Sequence, residues 1–395
     1  MKPLKALLAG KIYTPRREIS DGVVLIEGGR IKRAGPQAQV KVPEGVEVLD
    51  HRGQIVVPGF IDVHTHGGDG HDFMEGTVEA TTGVARFLAR MGTTAFLAST
   101  VTASVASTLA ATRSLVEVMR AQRADGQAPG GPPAAELLGI HFEGPFLSSK
   151  RLGAQPAEHV QPPSQSLLGE FLAAAEGHGK AITLAPEVEG AMPLLEYARR
   201  QGLRVALGHS DATLEEAEGA VEAGATHATH TFNAMRPFSH RDPGIIGAVL
   251  TDDRVLAELI CDGIHVHPGA VRLLTRCKGL DGVILVSDAI SGAGMPDGEY
   301  FLSNFEVSIV NGVCRTRGGV LAGSTTTLAA ELRNLMNFTG STYAQVLRCA
   351  TLNPARLLGL EKRKGQIAPG ADADLVILDS EYRVVQTYVG GRPVN

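Results

Sequence analysis

Eight mostly apolar runs separated by stretches of helical character constrain this chain more than any other feature. They are IVVPGFIDVHTH (55–66), TTAFLAST (93–100), LLGIHFEGP (137–145), AITLAPE (181–187), RVALGHS (204–210), HATHTFNA (227–234), ELICDGIH (258–265) and GVILVSDA (282–289). Runs that are apolar throughout, rather than at alternate positions, are expected of parallel strands buried on both faces. The intervals carry helix signals. Val84, Phe87, Leu88 and Met91 recur at helical spacing within 76–91. Thr213 with Glu216 forms a capping box, and residues 324–338 supply a helix after the eighth run. Repeated strand–helix alternation fits an α/β fold, a (β/α)8 barrel better than an open doubly wound sheet. A nine-strand open sheet is the alternative that pattern alone leaves.

Residues 1–57 have a different texture: short strands broken by Gly and Pro, with Val23, Leu25 and Ile31 alternating around the turn EGGR. The last 25 or so residues, ADADLVILDS and RVVQTYVGGRPVN, look alike. The barrel is therefore expected over 58–358, with flanking β-rich pieces at 1–57 and 359–395. The Gly/Pro-rich stretch 121–135 reads as a loop inside the barrel, because the alternation continues on both sides.

Composition excludes several functions. A hydrophobic fraction of 44% in 395 residues supplies a core and rules out disorder across the whole chain. The apolar runs fall far short of the roughly 20 residues needed to cross a membrane, and the apolar stretch after the first lysines is too short for a signal peptide. Thirty-seven basic against 42 acidic residues give a net charge of −5, which makes no electrostatic case for nucleic acid or an anionic membrane. Cys261, Cys277, Cys314 and Cys349 are scattered without a CxxC pair, as expected of a reduced, cytoplasmic setting.

The residues capable of chemistry gather at the C-terminal ends of the runs: His64 and His66, His141 and Glu143, His209, His227 and His230 followed by Asn233, Asp262 and His265, and Asp288. In a barrel that is the face where active sites are built. His64 and His66 share one side of a strand and form a pincer of neutral imidazoles, the commonest donors to a borderline divalent ion. Glu143 reads as a helix cap or as a carboxylate ligand able to bridge two ions. His209 and His230, on neighbouring strands, are placed to complete a second ion's shell. Asp288 reads as a proton-transfer group beside a water acidified by metal. Cys261 lacks the basic neighbourhood that makes a thiolate and is expected to pack. GxSxG, P-loop and GxGxxG motifs are absent from the sequence, which leaves acyl-enzyme and nucleotide chemistry without support.

The segments PGFIDVHTHGGDG (58–70), HFEGPFLS (141–148), LGHSDAT (207–213), THTFNAM (229–235), CDGIHVHP (261–268), LVSDA (285–289), LAGS (321–324), NPAR (353–356) and GQIAPGADADLVILD (365–379) resemble the amidohydrolase superfamily, in its N-acetylglucosamine-6-phosphate deacetylase branch. They run in family order over nearly the whole chain. The resemblance implies a TIM barrel with a small β-sandwich formed by both chain termini. It also implies hydrolysis of the N-acetyl group of N-acetylglucosamine 6-phosphate, with another N-acyl sugar phosphate such as the galactosamine epimer, a different amidohydrolase reaction, or a non-catalytic scaffold as the alternatives. One divalent ion would be held by His64, His66 and Asp288 and another by His209 and His230, with Glu143 binding the second and able to bridge both. Zinc is the first choice of metal, with iron, manganese or cobalt as alternatives. Asp288 would be general base and then acid. Asn233 and the Ala234 backbone would bind the sugar phosphate, His265 would contact the sugar, and Arg241 would reach phosphate in a neighbouring subunit, making a homodimer. Family members with a Gln-containing segment in place of the HxH hold a single ion, whereas this chain has both histidines. Gln155 stands where many members have a substrate-contacting His, and it cannot become cationic.

Overall fold

The computed structural model describes residues 3–395 except 16, 125–131 and 304. Eight parallel strands follow one another in spatial as in sequence order: β1 (Phe60–Thr65), β2 (Thr93–Thr100), β3 (Glu136–Glu143), β4 (Gly179–Leu184), β5 (Arg204–Leu207), β6 (His227–Ala228), β7 (Leu256–Leu259) and β8 (Val283–Leu285). Each lies within or overlaps one of the eight runs. The later strands are short, because their polar C-terminal residues leave the ladder. β8 and β1 are joined just beyond the strands rather than by a ladder: Asp288 N donates to His64 O at 2.9 Å, and His66 N to Ala289 O at 2.8 Å.

Among the described residues eight helices of two turns or more flank the barrel: α1 (Val78–Arg90), α2 (Val105–Ala124), α3 (Gln165–Ala175), α4 (Ala191–Arg200), α5 (Leu214–Glu222), α6 (Gly244–Thr251), α7 (Pro268–Lys278) and α8 (Leu328–Thr339). The Thr213 capping box forms in full at the start of α5. α8 begins at Leu328, because the side chain of Thr327 caps it by accepting from Ala330 N. Period two divides the strands. Phe96, Phe142, Ile182 and Leu184 join Val84, Phe87, Leu88 and Leu195 of the helices in one apolar layer. The intervening Ser99, His141 and Thr183 hydrogen-bond to each other instead, at 2.9 and 2.8 Å. Of the expected loop at 121–135, residues 121–124 belong to α2, and 125–131 lie outside the described residues.

Both chain ends share one seven-stranded sheet. Strand Leu4–Tyr13 pairs parallel with Glu47–Pro58, which pairs antiparallel with Leu375–Leu378. Glu47–Pro58 runs straight into β1 through Gly59. A Cβ on Gly59 would lie 2.0 Å from Thr94 Oγ1, so the two strands meet only because that side chain is missing. An ion network fastens this sheet to the barrel. Lys364, 1% exposed, has its Nζ 2.5 Å from Asp374, 2.6 Å from Glu136 and 3.0 Å from Asp372, and Arg363 pairs with Glu136 and Asp372.

One element is new relative to the sequence reading. Between β8 and α8 three antiparallel strands, Gly298–Leu302, Phe305–Val310 and Val313–Thr316, form a small sheet. It packs on Val101 and Ile290 and stands beside the barrel's C-terminal face.

Candidate metal centre

Six side chains converge at that face as two groups of three, His64 with His66 and Asp288, and Glu143 with His209 and His230. All six are buried. His64 is near the end of β1, His66 just beyond it, and Glu143 ends β3. His209, His230 and Asp288 come two or three residues after β5, β6 and β8, and their φ angles are positive (48°, 29° and 46°). Non-glycine residues in that region cost of order 1–3 kcal/mol each and persist only where the surroundings fix them. Here Ser148 N donates to His209 O, and Asp288 is held at both backbone ends by His64 O and Ser324 N.

The imidazoles point the same way. His64 Nε2 and His66 Nε2 are 3.2 Å apart, and His209 Nε2 and His230 Nε2 are 3.1 Å apart. Glu143 Oε1 lies 3.0 and 3.1 Å from the second pair and 3.5 Å from His64, while its Oε2 is 3.4 Å from His66. Asp288 Oδ1 is 3.1 Å from His66 Nε2. On the outer side, the Nδ1 of His64 faces Glu258, that of His66 faces Ser99 O and that of His209 faces Arg151 O, all at 3.1 Å. With Nδ1 donating outward, each Nε2 presents a lone pair to the centre. Lone pairs at such spacing repel unless a proton or cation lies between them.

The titration behaviour has the same cause. Burial alone would depress His66, yet Asp288 and Glu143 raise it to about 9. Burial would raise Glu143 and Asp288, but the surrounding histidines hold both below the usual carboxylate range. A cluster that stabilises positive charge this way, with four imidazoles and two carboxylates as donors, fits divalent cations.

A cavity of about 200 Å3 opens over the centre. Gln155, Asn233, Ala234 and His265 line it with His66, Glu143, His209, His230 and Asp288, and Leu302, Val320 and Leu321 of the small sheet and its return close one side. Gln155 spans two partners, donating from Nε2 to Glu143 Oε2 at 2.6 Å and accepting from Thr102 N at 2.8 Å. His265 is oriented by Asp262, 2.7 Å from its Nδ1. Arg241 is not brought to this cavity; it is exposed in the turn where Ser239 and Asp242 pair. Cys261 is buried and burial pushes its thiol up, in keeping with packing. Sequence reasoning overlooked Glu258, a fully buried carboxylate inside β7. Its signal was an acid flanked by apolar residues on both sides, Val255 to Ala257 before it and Leu259 to Cys261 after it, so that the apolar run extends further back than 258.

A closed parallel barrel carrying a buried histidine–carboxylate centre at its C-terminal face is the framework of a metal-dependent hydrolase. Residues 55–394 match the model of the Amidohydrolase family, and the chain belongs to that family. It is 40% identical over 351 residues, 88% of each chain, to the N-acetylglucosamine-6-phosphate deacetylase of Lysinibacillus sphaericus. It is 38% identical to the N-acetylgalactosamine-6-phosphate deacetylase of Escherichia coli O157:H7, over 98% of each chain. Among solved structures, it superposes with a TM-score of 0.91 and 34% identity, over 99% of each chain, on a point mutant of the Mycobacterium smegmatis N-acetyl-D-glucosamine-6-phosphate deacetylase in complex with N-acetyl-D-glucosamine 6-phosphate.

Proposed function

We propose that this chain hydrolyses the N-acetyl group of N-acetylglucosamine 6-phosphate, giving glucosamine 6-phosphate and acetate. The observation that carries the reading is the convergence of the two ligand triads on one small cavity. His64, His66 and Asp288 would hold one divalent ion and Glu143, His209 and His230 another, zinc before iron, manganese or cobalt. Such an ion supplies Lewis acidity to the acetyl carbonyl and lowers the pKa of water.

The protein's own groups do the rest. The Asp288 carboxylate takes a proton from the attacking water and gives it to the departing nitrogen as the C–N bond breaks, so acetate and a free amine leave. Its position is fixed by the backbone bonds to His64 and Ser324. His265, aligned by Asp262, and Asn233 with the Ala234 backbone orient the sugar phosphate, while Leu302 and Leu321 exclude water. Gln155 donates a neutral hydrogen bond beside Glu143. Arg241, exposed on its own subunit, contributes its guanidinium to phosphate across a homodimer interface. The catalytic barrel spans 58–358, with the β-domain made of 1–57 and 359–395. Among the described residues no helix is long and apolar enough to cross a membrane. The four cysteines are unpaired, which fits the proposed cytoplasmic setting.

The test is acetate release from N-acetylglucosamine 6-phosphate before and after chelation, with metal added back. Activity that is absent, or indifferent to metal removal, refutes the proposal. The Escherichia coli relative favours a second reading, the galactosamine epimer as substrate. A side-by-side kcat/KM comparison of the two sugars decides between them.

A further inference from the structure

Glu258 has no place in the chemistry above, and its surroundings are unusual. It is fully buried in β7, between Ala257 and Leu259, which turn outward into the apolar layer. Its Oε2 accepts from His64 Nδ1 at 3.1 Å and from the backbone N–H of His230 at 3.2 Å. Among the described residues its Oε1 makes no hydrogen bond, and His227 Nε2 stands 3.4 Å away. Among the described residues no lysine or arginine pairs with it. A carboxylate desolvated to this degree is costly unless positive charge stands close by, and a leucine would fill the same space without that cost. The two groups it does hold belong to different triads, the His64 ring to one and the His230 backbone to the other.

We propose that Glu258 is a positioning residue that keeps the two ligand triads in register for cation binding. By accepting from Nδ1 it fixes His64 as the tautomer whose Nε2 faces the centre. By accepting from the His230 N–H it pins the backbone where His230 turns into the left-handed region. Positive charge bound beyond the His64 ring then compensates the buried carboxylate through that ring. This inference rests on the metal-centre reading above.

The experiment is a zinc titration of the full-length protein against a chromophoric chelator, with the visible spectrum of the cobalt-loaded protein as a second readout. Wild type is compared with Glu258→Leu and Glu258→Gln. Loss of an orienting partner of this kind weakens metal affinity by about 10–100-fold. The expected result is that loss for at least one ion in Glu258→Leu, together with altered cobalt bands. Glu258→Gln, whose amide oxygen still accepts from His64, should fall between Leu and wild type, and it decides the matter if the leucine variant fails to fold. Affinities equal to wild type in both variants overturn the positioning role and leave the metal centre standing. Equal loss in both also overturns it, because the acceptor would then be irrelevant. Wild type that binds no zinc overturns the metal-centre reading and this inference with it.

Discussion

Replacing Lys364 with methionine should cost about 3–5 kcal/mol of stability at pH 7, the range measured when one partner of a buried ion pair is removed. The basis is a count of charges in one place. Glu136, Asp372 and Asp374 face Lys364 and Arg363, and the Lys364 Nζ lies within 3.0 Å of all three carboxylates while being 1% exposed. Methionine fills the stem's volume but leaves three anions facing the Arg363 guanidinium and, at Asp372 alone, that of the exposed Arg30. Asp374 suffers most. Burial already raises its pKa, and Lys364 is the main group opposing that rise. Without the lysine, the folded-state pKa of Asp374 moves further above the unfolded value near 4. The folded protein then binds more protons than the unfolded chain, so stability falls as pH rises through this window. The deficit against wild type is therefore full at pH 7 and shrinks towards pH 4–5. Wild type moves the opposite way, because Glu136 and Asp372, held below their usual range, lose their contribution on acidification. Reversible guanidinium denaturation followed by circular dichroism at pH 7 and pH 5 measures both effects. Adding Asp374→Asn should recover part of the loss, since the remaining oxygen still accepts from Gly390 N. A deficit below about 1 kcal/mol, the size of an exposed ion pair, would refute the reasoning. So would a deficit independent of pH.

Three further outcomes are expected. Asp288→Asn should lower kcat by about 10²–10⁴-fold; an unchanged rate in a metal-replete variant would remove the proton-transfer assignment. Arg241→Ala should raise KM for the phosphorylated sugar by about tenfold or more, the worth of a charge-assisted hydrogen bond, and leave the unphosphorylated sugar unaffected; equal KM values would place phosphate elsewhere. Gly59→Ala should destabilise by about 1–3 kcal/mol, because its Cβ meets a buried threonine hydroxyl at 2.0 Å; thermal melts that coincide with wild type would show that Thr94 can rotate away.

Much of this architecture was legible because burial on both faces leaves an uninterrupted apolar record. β2 and β3 are buried almost throughout, and they read that way. The convergence of His64, His66, Glu143, His209, His230 and Asp288 was legible because a polar residue at the end of such a run has nowhere to go but the barrel mouth. The small sheet at 298–316 was not assigned, although Asn311 and Gly312, both at positive φ, form the kind of two-residue turn that joins hairpin strands. Its strands are half exposed, and their alternation is diluted by polar residues on the open side. Glu258 was hidden for another reason. Its partners come from β1 and from the residue at the mouth of β6, and no local spacing encodes contacts across a closed barrel. Arg241 marks a different limit: it lies exposed and away from the cavity, so one copy's geometry does not test the cross-subunit phosphate contact proposed for it.

The shared terminal sheet has a consequence during synthesis. The strand ending at Pro58 takes its antiparallel neighbour from Leu375–Leu378, so over 300 residues must be made before that edge is covered. At ribosomal speeds of about 5–20 residues per second this is an interval of tens of seconds or more. Throughout it, the strand that feeds His64 and His66 into the barrel presents unpaired N–H and C=O groups, the feature that invites pairing with other chains. The strand that leads into His64 and His66 is thus among the last to be sealed, and its safety in a growing chain depends on what shields that edge until the final strands arrive.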